Sequence, residues 1–473
     1  MIEQIEKTFD RLLEGYHQEM IDNLRRLIRI KSVFGPEEPD APFGRGPKEA
    51  LDFALELGRE KGFECVNFDN YAGEINFGQG AEAAGVICHM DVVPEGEGWT
   101  YDPYGGQMDG GNIYGRGAVD DKGCFIAAFY ACLALKESGV PLTRQVKHII
   151  GANEELGYFP CIRYYKKHTK KMPVCGIVPD SWFPAAFAEK GILNYEFHKT
   201  FSPETCGKEQ PILRSIHGGS AFNVVIPEAK AVFEGSKEQR AAIVKTAKET
   251  LPIDRIKAVE TGNLLELYTV GKSAHASTPE IGVNAASLML QLLKKLDFFP
   301  QNVCRTLRTL ADSIAFDTDG SGLGVSFSDH TGPLTNNLGI LRLDGNNLYA
   351  GMNIRYPVTQ DTAVLEERLA QAAAQAGAHC EVTMRNPHFY VDPESHLVQT
   401  LVDIYRQMTG DAESQPVAHG GGSYARILEN FIPYGPSIQG EELSFHKQDE
   451  HISCERLLLL SKIYARALYE MAK

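Results

Sequence analysis

The chain has 473 residues, 43% of them apolar and 23% charged, and a formal net charge of -15 at pH 7. That is too long for one ordinary core and too apolar for a disordered chain; at ~150 residues per domain it implies two or three domains. An acidic balance with no run of like charges excludes nucleic acid and an anionic membrane surface as expected partners.

The N-terminal stretch "MIEQIEKTFDRLLEGYHQEM" is charged and amphipathic from its second residue, so it reads as helix and not as a secretory signal. "PKEALDFALELGREKG" is a second helix, ending at Gly62. "AGVICHMDVV" and "QVKHIIGA" read as strands, with the helix "DDKGCFIAAFYACLALKESG" between them and Gly139 just past its end. "VCGIVPD" is a further strand. Strands separated by helices predict an α/β domain with a mostly parallel sheet covered on both faces.

Near residue 190 the pattern changes. "GILNYEFHKTF", "LLELYTVGK", "NNLYAGMNIRYPV" and "HCEVTMRNPHFYV" alternate as antiparallel strands, with helices "VNAASLMLQLLKKL" and "DTAVLEERLAQAAAQAG" among them. This predicts a two-layer α+β insert of ferredoxin-like order, about twice as long as one such unit needs. Beyond it the α/β character returns and ends in the helix "CERLLLLSKIYARALYEMAK". The expected organisation is a first domain formed by residues 1–187 and 386–473, interrupted by an insert over 188–385. No stretch reaches the ~18 apolar residues of a membrane span. Ten cysteines are scattered without a Cys-x-x-Cys, which predicts free thiols in a reducing cytoplasm.

Polar residues gather at the predicted strand ends. His89 and Asp91 end the first good strand, Glu154 and Glu155 the next, and Asp180 a third, while Asp120 and Asp121 open the intervening helix. In an open α/β sheet, ligands bind outside the carboxyl ends of the strands. One imidazole with several carboxylates suits Zn2+, Mn2+ or Co2+. In His-x-Asp, the carboxylate can take the second N–H of a ligating imidazole and fix its tautomer. Each residue alone has a plainer reading: a helix cap for Asp120 or Asp121, a core histidine for His89, a turn residue for Asp180, solvated charges for Glu154 and Glu155. The plainer readings leave unexplained why so many meet at one sheet edge. Rival motifs fail on spacing. A phosphate loop ending in "GKS" would need glycine where Glu266 stands, and "GGGSYAR" lacks the second glycine of a nucleophile elbow, having Ala425 there.

Taken in order, "HMDVVPEGEGW", "GRGAVDDKG", "NEEL", "VPD" and "FHKQDEHIS" resemble the di-zinc metallopeptidases of the aminoacylase, carboxypeptidase G and carnosinase family, most nearly its bacterial dipeptidase V (Xaa-His dipeptidase) branch. The resemblance covers most of the chain, including the long insert. It implies a phosphorylase/hydrolase-like catalytic domain with the insert as a lid. It further implies two Zn2+ per chain, with Mn2+ or Co2+ as substitutes. His89 and Asp180 would bind one ion, Glu155 and His446 the other, and Asp120 would bridge them. Glu154 would be the general base for a di-zinc-bound hydroxide, and Asp91 would orient His89. From the lid, His275 of "GKSAHAST" would stabilise the oxyanion, while Asn223 and Arg355 would hold the substrate carboxylate. Gly421, Gly422 and Ser423 would bring backbone close to a bound peptide. Their plainer readings are a loop histidine, a turn asparagine, a solvated strand arginine and a flexible loop. The residues flanking the glutamate pair, Asn153 and Leu156, depart from the acidic residue and serine of many relatives, which implies tuning around the ligands and not loss of activity.

The implied function is a cytoplasmic dipeptidase acting on small peptides. Its lid is long enough to present His275 from the same chain, so a monomer is expected. Deacylation of N-acyl amino acids is the alternative within the family, and a non-catalytic metal-binding protein the alternative outside it.

Overall fold

The helix Lys122–Ser138 is apolar on every side, and its residues from Lys122 to Leu135 are all buried. Such a helix needs cover all round. It finds it between the strand Ala83–His89 and the helices Ile2–Ile28 and Cys454–Ala472. Gly139 ends it in the left-handed conformation, φ 66°, that glycine adopts without a Cβ clash. This computed structural model describes residues 2–204, 210–441 and 444–473.

Two compact units divide the chain: Met1–Phe187 with Tyr390–Val417 and Gly422–Lys473, and Ala188–Phe389 with Ala418–Gly421. The second unit therefore keeps residues through Phe389 and takes in Gly421, while Gly422 and Ser423 belong to the first.

The sheet of the first unit runs, in spatial order, Glu64–Phe68, Ala72–Phe77, Gln145–Gly151, Ala83–His89, Cys175–Val178, Phe431–Pro433. Its last four strands are mutually parallel, and the first two are antiparallel additions at one edge. Every residue of Ala83–His89 is buried, as expected for a central parallel strand covered on both faces. Three neighbouring parallel strands end at the same edge. They deliver His89 with Asp91, Glu154 with Glu155, and Asp180.

The second unit holds one antiparallel sheet of eight strands, in the order Ile256–Thr261, Leu264–Val270, Glu228–Glu234, Ile212–Gly218, Thr335–Asp344, Asn347–Tyr356, Gly191–Thr200, His379–Asn386. The last four, taken from the far edge, have the chain order 4-1-3-2 of a ferredoxin-like unit. The other four strands are inserted between Thr200 and Thr335. They join the first set through Ile212–Gly218, which pairs with Thr335–Asp344. The doubled length thus makes a doubled sheet. Helices cover it over a core that includes Phe197, Phe233, Leu267, Leu293, Leu341 and Met352. Asn284 and Asp361 cap two of those helices with side-chain oxygens.

Nine described cysteines are free thiols, and the tenth, Cys206, lies outside the described residues. Among the described residues no helix is long and apolar enough to cross a membrane.

Candidate metal and catalytic site

His89 is the last residue of a buried strand, and its ring is 1% exposed. Asp120 lies in the turn before Lys122–Ser138, joined to Asp121 by a cis peptide. The Asp120 carboxylate has a histidine on each side. Its Oδ1 is 2.9 Å from His89 Nε2 and its Oδ2 is 3.0 Å from His446 Nε2. Behind His89 lies Asp180, with Oδ2 at 3.9 Å from Nε2. Behind His446 lies Glu155, with Oε1 at 3.2 Å from Nε2. Asp120 faces both flanks, one oxygen to each histidine. Ligand atoms of His89, Asp120 and Glu155 fall within 4.8 Å of one another, and so do those of His89, Glu154 and Asp180.

The electrostatics are those of crowded anions. Burial drives the carboxyls of Glu154 and Asp180 well above their usual range, reinforced for Glu154 by Glu155 and Asp91 and for Asp180 by Asp120 and Glu154. Glu155 is raised for the same first reason. Burial lowers His89 and His446, but the carboxylates beside them outweigh it and hold both well above the ordinary histidine value. Burial opposes ionisation of Asp120 as well, yet its two histidine contacts hold it well below the carboxylate range. The Glu154 Oε1 atom is buried with no hydrogen-bond partner among the described residues. A buried carboxylate oxygen left in this way is costly unless a cation or proton faces it. The donor set therefore fits two divalent cations: oxygen and imidazole ligands, a carboxylate facing both flanks, and net negative charge to neutralise.

Asp91 has a double hold. Its backbone carbonyl accepts His89 Nδ1–H at 2.9 Å, while its carboxylate Oδ1 stands 3.4 Å from the same nitrogen. The carboxylate instead accepts the backbone N–H groups of Glu154 at 2.8 Å and Glu155 at 3.1 Å. Asn153 adds its side-chain amide at 3.4 Å. Asp121, at the N-cap position, makes no side-chain cap; it accepts the His89 backbone N–H at 2.9 Å. Burial raises its carboxyl to about 8. Sequence reasoning offered Asp121 only as a helix start or cap, and its side chain does not cap the helix.

In the second unit, Asn223 and His275 are exposed, on two loops zipped together. Ala276 N–H donates to Asn223 O at 2.9 Å, Val225 N–H donates to Ala274 O at 2.9 Å, and Val224 and His275 form an antiparallel bridge. Asn337, which sequence reasoning missed, fixes the turn by donating to Phe222 O at 2.8 Å and Val224 O at 3.1 Å. His275 Nδ1 lies 2.7 Å from Ser277 Oγ. Arg355 is buried, with Nε donating to Asn353 Oδ1 and Nη1 to Gly420 O, each at 2.8 Å. A Cβ on Gly420 would fall 2.7 Å from Ser277 Cβ, so the His275 loop and the Arg355 acceptor are neighbours. Gly421 N–H donates to His419 Nδ1 at 3.0 Å. In the first unit, a Cβ on Gly422 would meet the Arg426 guanidinium at 2.5 Å, and Ser423 is buried, capping the short helix Tyr424–Ile427. Buried asparagines in apolar strands, such as Asn337 and Asn353, were the available signal for a polar support here.

A parallel α/β sheet, a second unit with a doubled antiparallel sheet and a histidine–carboxylate cluster at the strand ends define a metallopeptidase architecture. The chain belongs to the peptidase family M20/M25/M40, whose pattern it matches over residues 85–470, a family of metal-dependent hydrolases. It is similar to "Putative dipeptidase YtjP" of Bacillus subtilis (strain 168), 36% identical over 464 residues that cover 96% of this chain and 98% of that one. Its fold is similar to human carnosine dipeptidase 1, with a TM-score of 0.58 at 14% identity over 99% of this chain and 98% of the other. It is also similar to the aminoacylhistidine dipeptidase of Vibrio alginolyticus, with a TM-score of 0.53 at 14% identity over 95% and 96% of the two chains.

Proposed function

We propose that the protein is a dipeptidase holding two divalent cations, Zn2+ first among them. His89 and Asp180 would bind one, Glu155 and His446 the other, with Asp120 between. The observation that carries this is the division of the Asp120 carboxylate, one oxygen toward each histidine. When bound, such a pair of ions supplies Lewis acidity toward a carbonyl oxygen and toward water.

The chain's own groups do the rest. Glu154 takes a proton from the attacking water on its carboxylate and passes it to the departing amine nitrogen. Burial and neighbouring anions favour its protonated form, which suits the second half of that shuttle. Asp91 holds the backbone from which Glu154 projects. His275 donates to the oxygen on which charge develops. Arg355 and Asn223 receive the substrate's terminal carboxylate; a guanidinium fork matches a carboxylate with two parallel bonds. Gly421, Gly422 and Ser423 offer backbone to the peptide. The doubled sheet of the second unit supports a single chain acting alone, and the free thiols of the described cysteines support a cytoplasmic enzyme.

The test is hydrolysis of Ala-His, β-Ala-His, Leu-Leu, a tripeptide and N-acetyl amino acids, by metal-stripped protein with and without added Zn2+ or Mn2+. Metal-dependent cleavage of the dipeptides is expected. Cleavage confined to the N-acetyl amino acids would make the protein a deacylase. Metal uptake with no cleavage at all would make it a binding protein.

A further inference from the structure

Three hydrogen-bond donors converge on one buried carboxylate beside the candidate metal site. Glu450 Oε1 accepts the backbone N–H of Val119 at 2.9 Å and of Asp120 at 3.2 Å. Its Oε2 accepts Arg116 Nη1–H at 2.7 Å, and both side chains are buried, 0% and 2% exposed. Arg116 is fixed in turn. Its Nη2 donates to Glu95 O at 3.2 Å and Pro94 O at 3.4 Å, and its guanidinium lies 5.2 Å from the Trp99 ring centroid. The main chain is tied at the same point, because Gly115 N–H donates to Glu450 O at 2.8 Å. Four residues earlier stands His446, with φ 58°, and between them Asp449, with φ 54°, accepts the N–H groups of Thr100 and Tyr101. The segment that carries His446 and the turn that carries Asp120 therefore meet at Glu450.

We infer that Glu450, anchored by Arg116, is a positioning residue for the metal site, holding Asp120 and the His446 segment in register with each other. The inference rests on the reading of the site given above. Its chemistry depends on a carboxylate. Two ionised oxygens offer about four lone-pair sites, enough for three donors. A glutamine of the same shape has one acceptor oxygen and turns its NH2 toward either the guanidinium or the two backbone N–H groups. Whichever it faces, the fit between Asp120 and Arg116 is lost. Partners one layer out from a metal ligand typically shift metal affinity by about 10- to 100-fold.

The experiment is a Zn2+ titration of the metal-stripped full-length protein against a chromophoric chelator, with thermal unfolding of the metal-free form followed in parallel. Glu450→Gln should still take up two ions but bind the weaker one about 10- to 100-fold less tightly. Arg116→Lys keeps the charge and the contacts to Val119 and Asp120 but loses the fork. It should show a smaller loss in the same direction, and it carries the test if Glu450→Gln does not fold. Glu74→Gln is the control: it breaks an equally buried ion pair, Lys147 Nζ to Glu74 Oε1 at 2.7 Å. It should lower the unfolding temperature and leave Zn2+ affinity unchanged. Wild-type affinity in both Glu450→Gln and Arg116→Lys would overturn the inference, as would an equal loss in Glu74→Gln. A wild-type protein that binds fewer than two ions would instead overturn the reading of the site itself.

Discussion

The Asp91 carboxylate accepts the backbone N–H of Glu154 at 2.8 Å, while the carbonyl of Asp91 holds His89 Nδ1 at 2.9 Å. One residue thus serves two strands through two different groups. The division makes a prediction that a simple His-Asp pair would not. Asp91→Asn leaves the carbonyl in place, so His89 should keep its orientation and metal content should stay close to two ions per chain. The amide, however, turns a donor toward the N–H of Glu154 or Glu155. Turnover should fall about 10- to 100-fold. Elemental analysis beside kcat decides it: loss of metal in proportion to activity would return the orienting role to the carboxylate.

Glu154 and Glu155 are neighbours with different partners. Glu155 lies against His446, whereas Glu154 Oε1 has no hydrogen-bond partner among the described residues. Glu154→Gln should retain both ions and lose turnover by ~10²–10⁴, the usual worth of a general base. Glu155→Gln should lower metal content after dialysis. A Glu154→Gln protein with two ions and near wild-type turnover would remove Glu154 from the proton-transfer role.

The sheet edge was legible because each strand that feeds it is short, apolar and closed by a charged residue. His89, Glu154, Glu155 and Asp180 all stand at or just past such ends. The supports were not. Glu450 and Arg116 sit in loops without periodicity, and only their burial and the convergence of donors mark them. In the second unit the strand Ile256–Thr261 is a sheet edge, with Lys257, Val259 and Glu260 exposed, so it carries no buried alternation to read. The helix Lys237–Thr250 buries only Arg240, Ile243 and Ala247 and shows little apolar stripe. Of the four inserted strands only Leu264–Val270 was named from the sequence, and the rest of the doubling was sensed as excess length.

His148 gives a pH dependence independent of any metal. It is buried in the strand Gln145–Gly151 beside Phe125, with ring centroids 5.0 Å apart. Neither ring nitrogen has a partner among the described residues, and burial lowers its pKa to about 3. In the unfolded chain the value is ~6.5. Below that pH the unfolded state takes the proton and the folded state does not, so this contribution is present above pH ~6.5 and is lost as pH falls toward the folded value. The slope approaches ~1.4 kcal/mol per pH unit for one proton. His148→Phe should flatten the fall in stability between about pH 6 and 4 by that amount. Urea unfolding of both metal-stripped proteins across the range measures it, and parallel pH profiles would contradict it.

The continuous eight-stranded sheet joins two four-stranded halves within one chain, at the pairing of Ser215 with Asp344 and Gly218 with Leu341. Under the proposed function the same chain supplies His275. Light scattering should give a monomer mass. A stable dimer, together with activity regained on mixing His275→Ala with Glu154→Gln, would show that the histidine comes from a partner.

Arg355 bears on substrate length. Its guanidinium is buried and held by Asn353 Oδ1, a strand side chain, and by Gly420 O, a loop carbonyl, which fix its direction. If it receives the terminal carboxylate of the substrate, the scissile carbonyl must lie one residue away from that clamp. A dipeptide meets both requirements, whereas a tripeptide puts an amide where the guanidinium needs a charge. Removing one partner of a buried, hydrogen-bonded charge pair costs ~2–5 kcal/mol, which corresponds to discrimination of roughly tens- to thousands-fold. Dipeptides should therefore exceed tripeptides and dipeptide amides as substrates by such a factor in kcat/KM. Arg355→Ala should narrow the gap between a dipeptide and its amide, chiefly by slowing the dipeptide. The measurement is kcat/KM for both substrates in both proteins. Equal cleavage of acid and amide by the wild type, or an unchanged ratio in Arg355→Ala, would mean that the terminal carboxylate is held elsewhere.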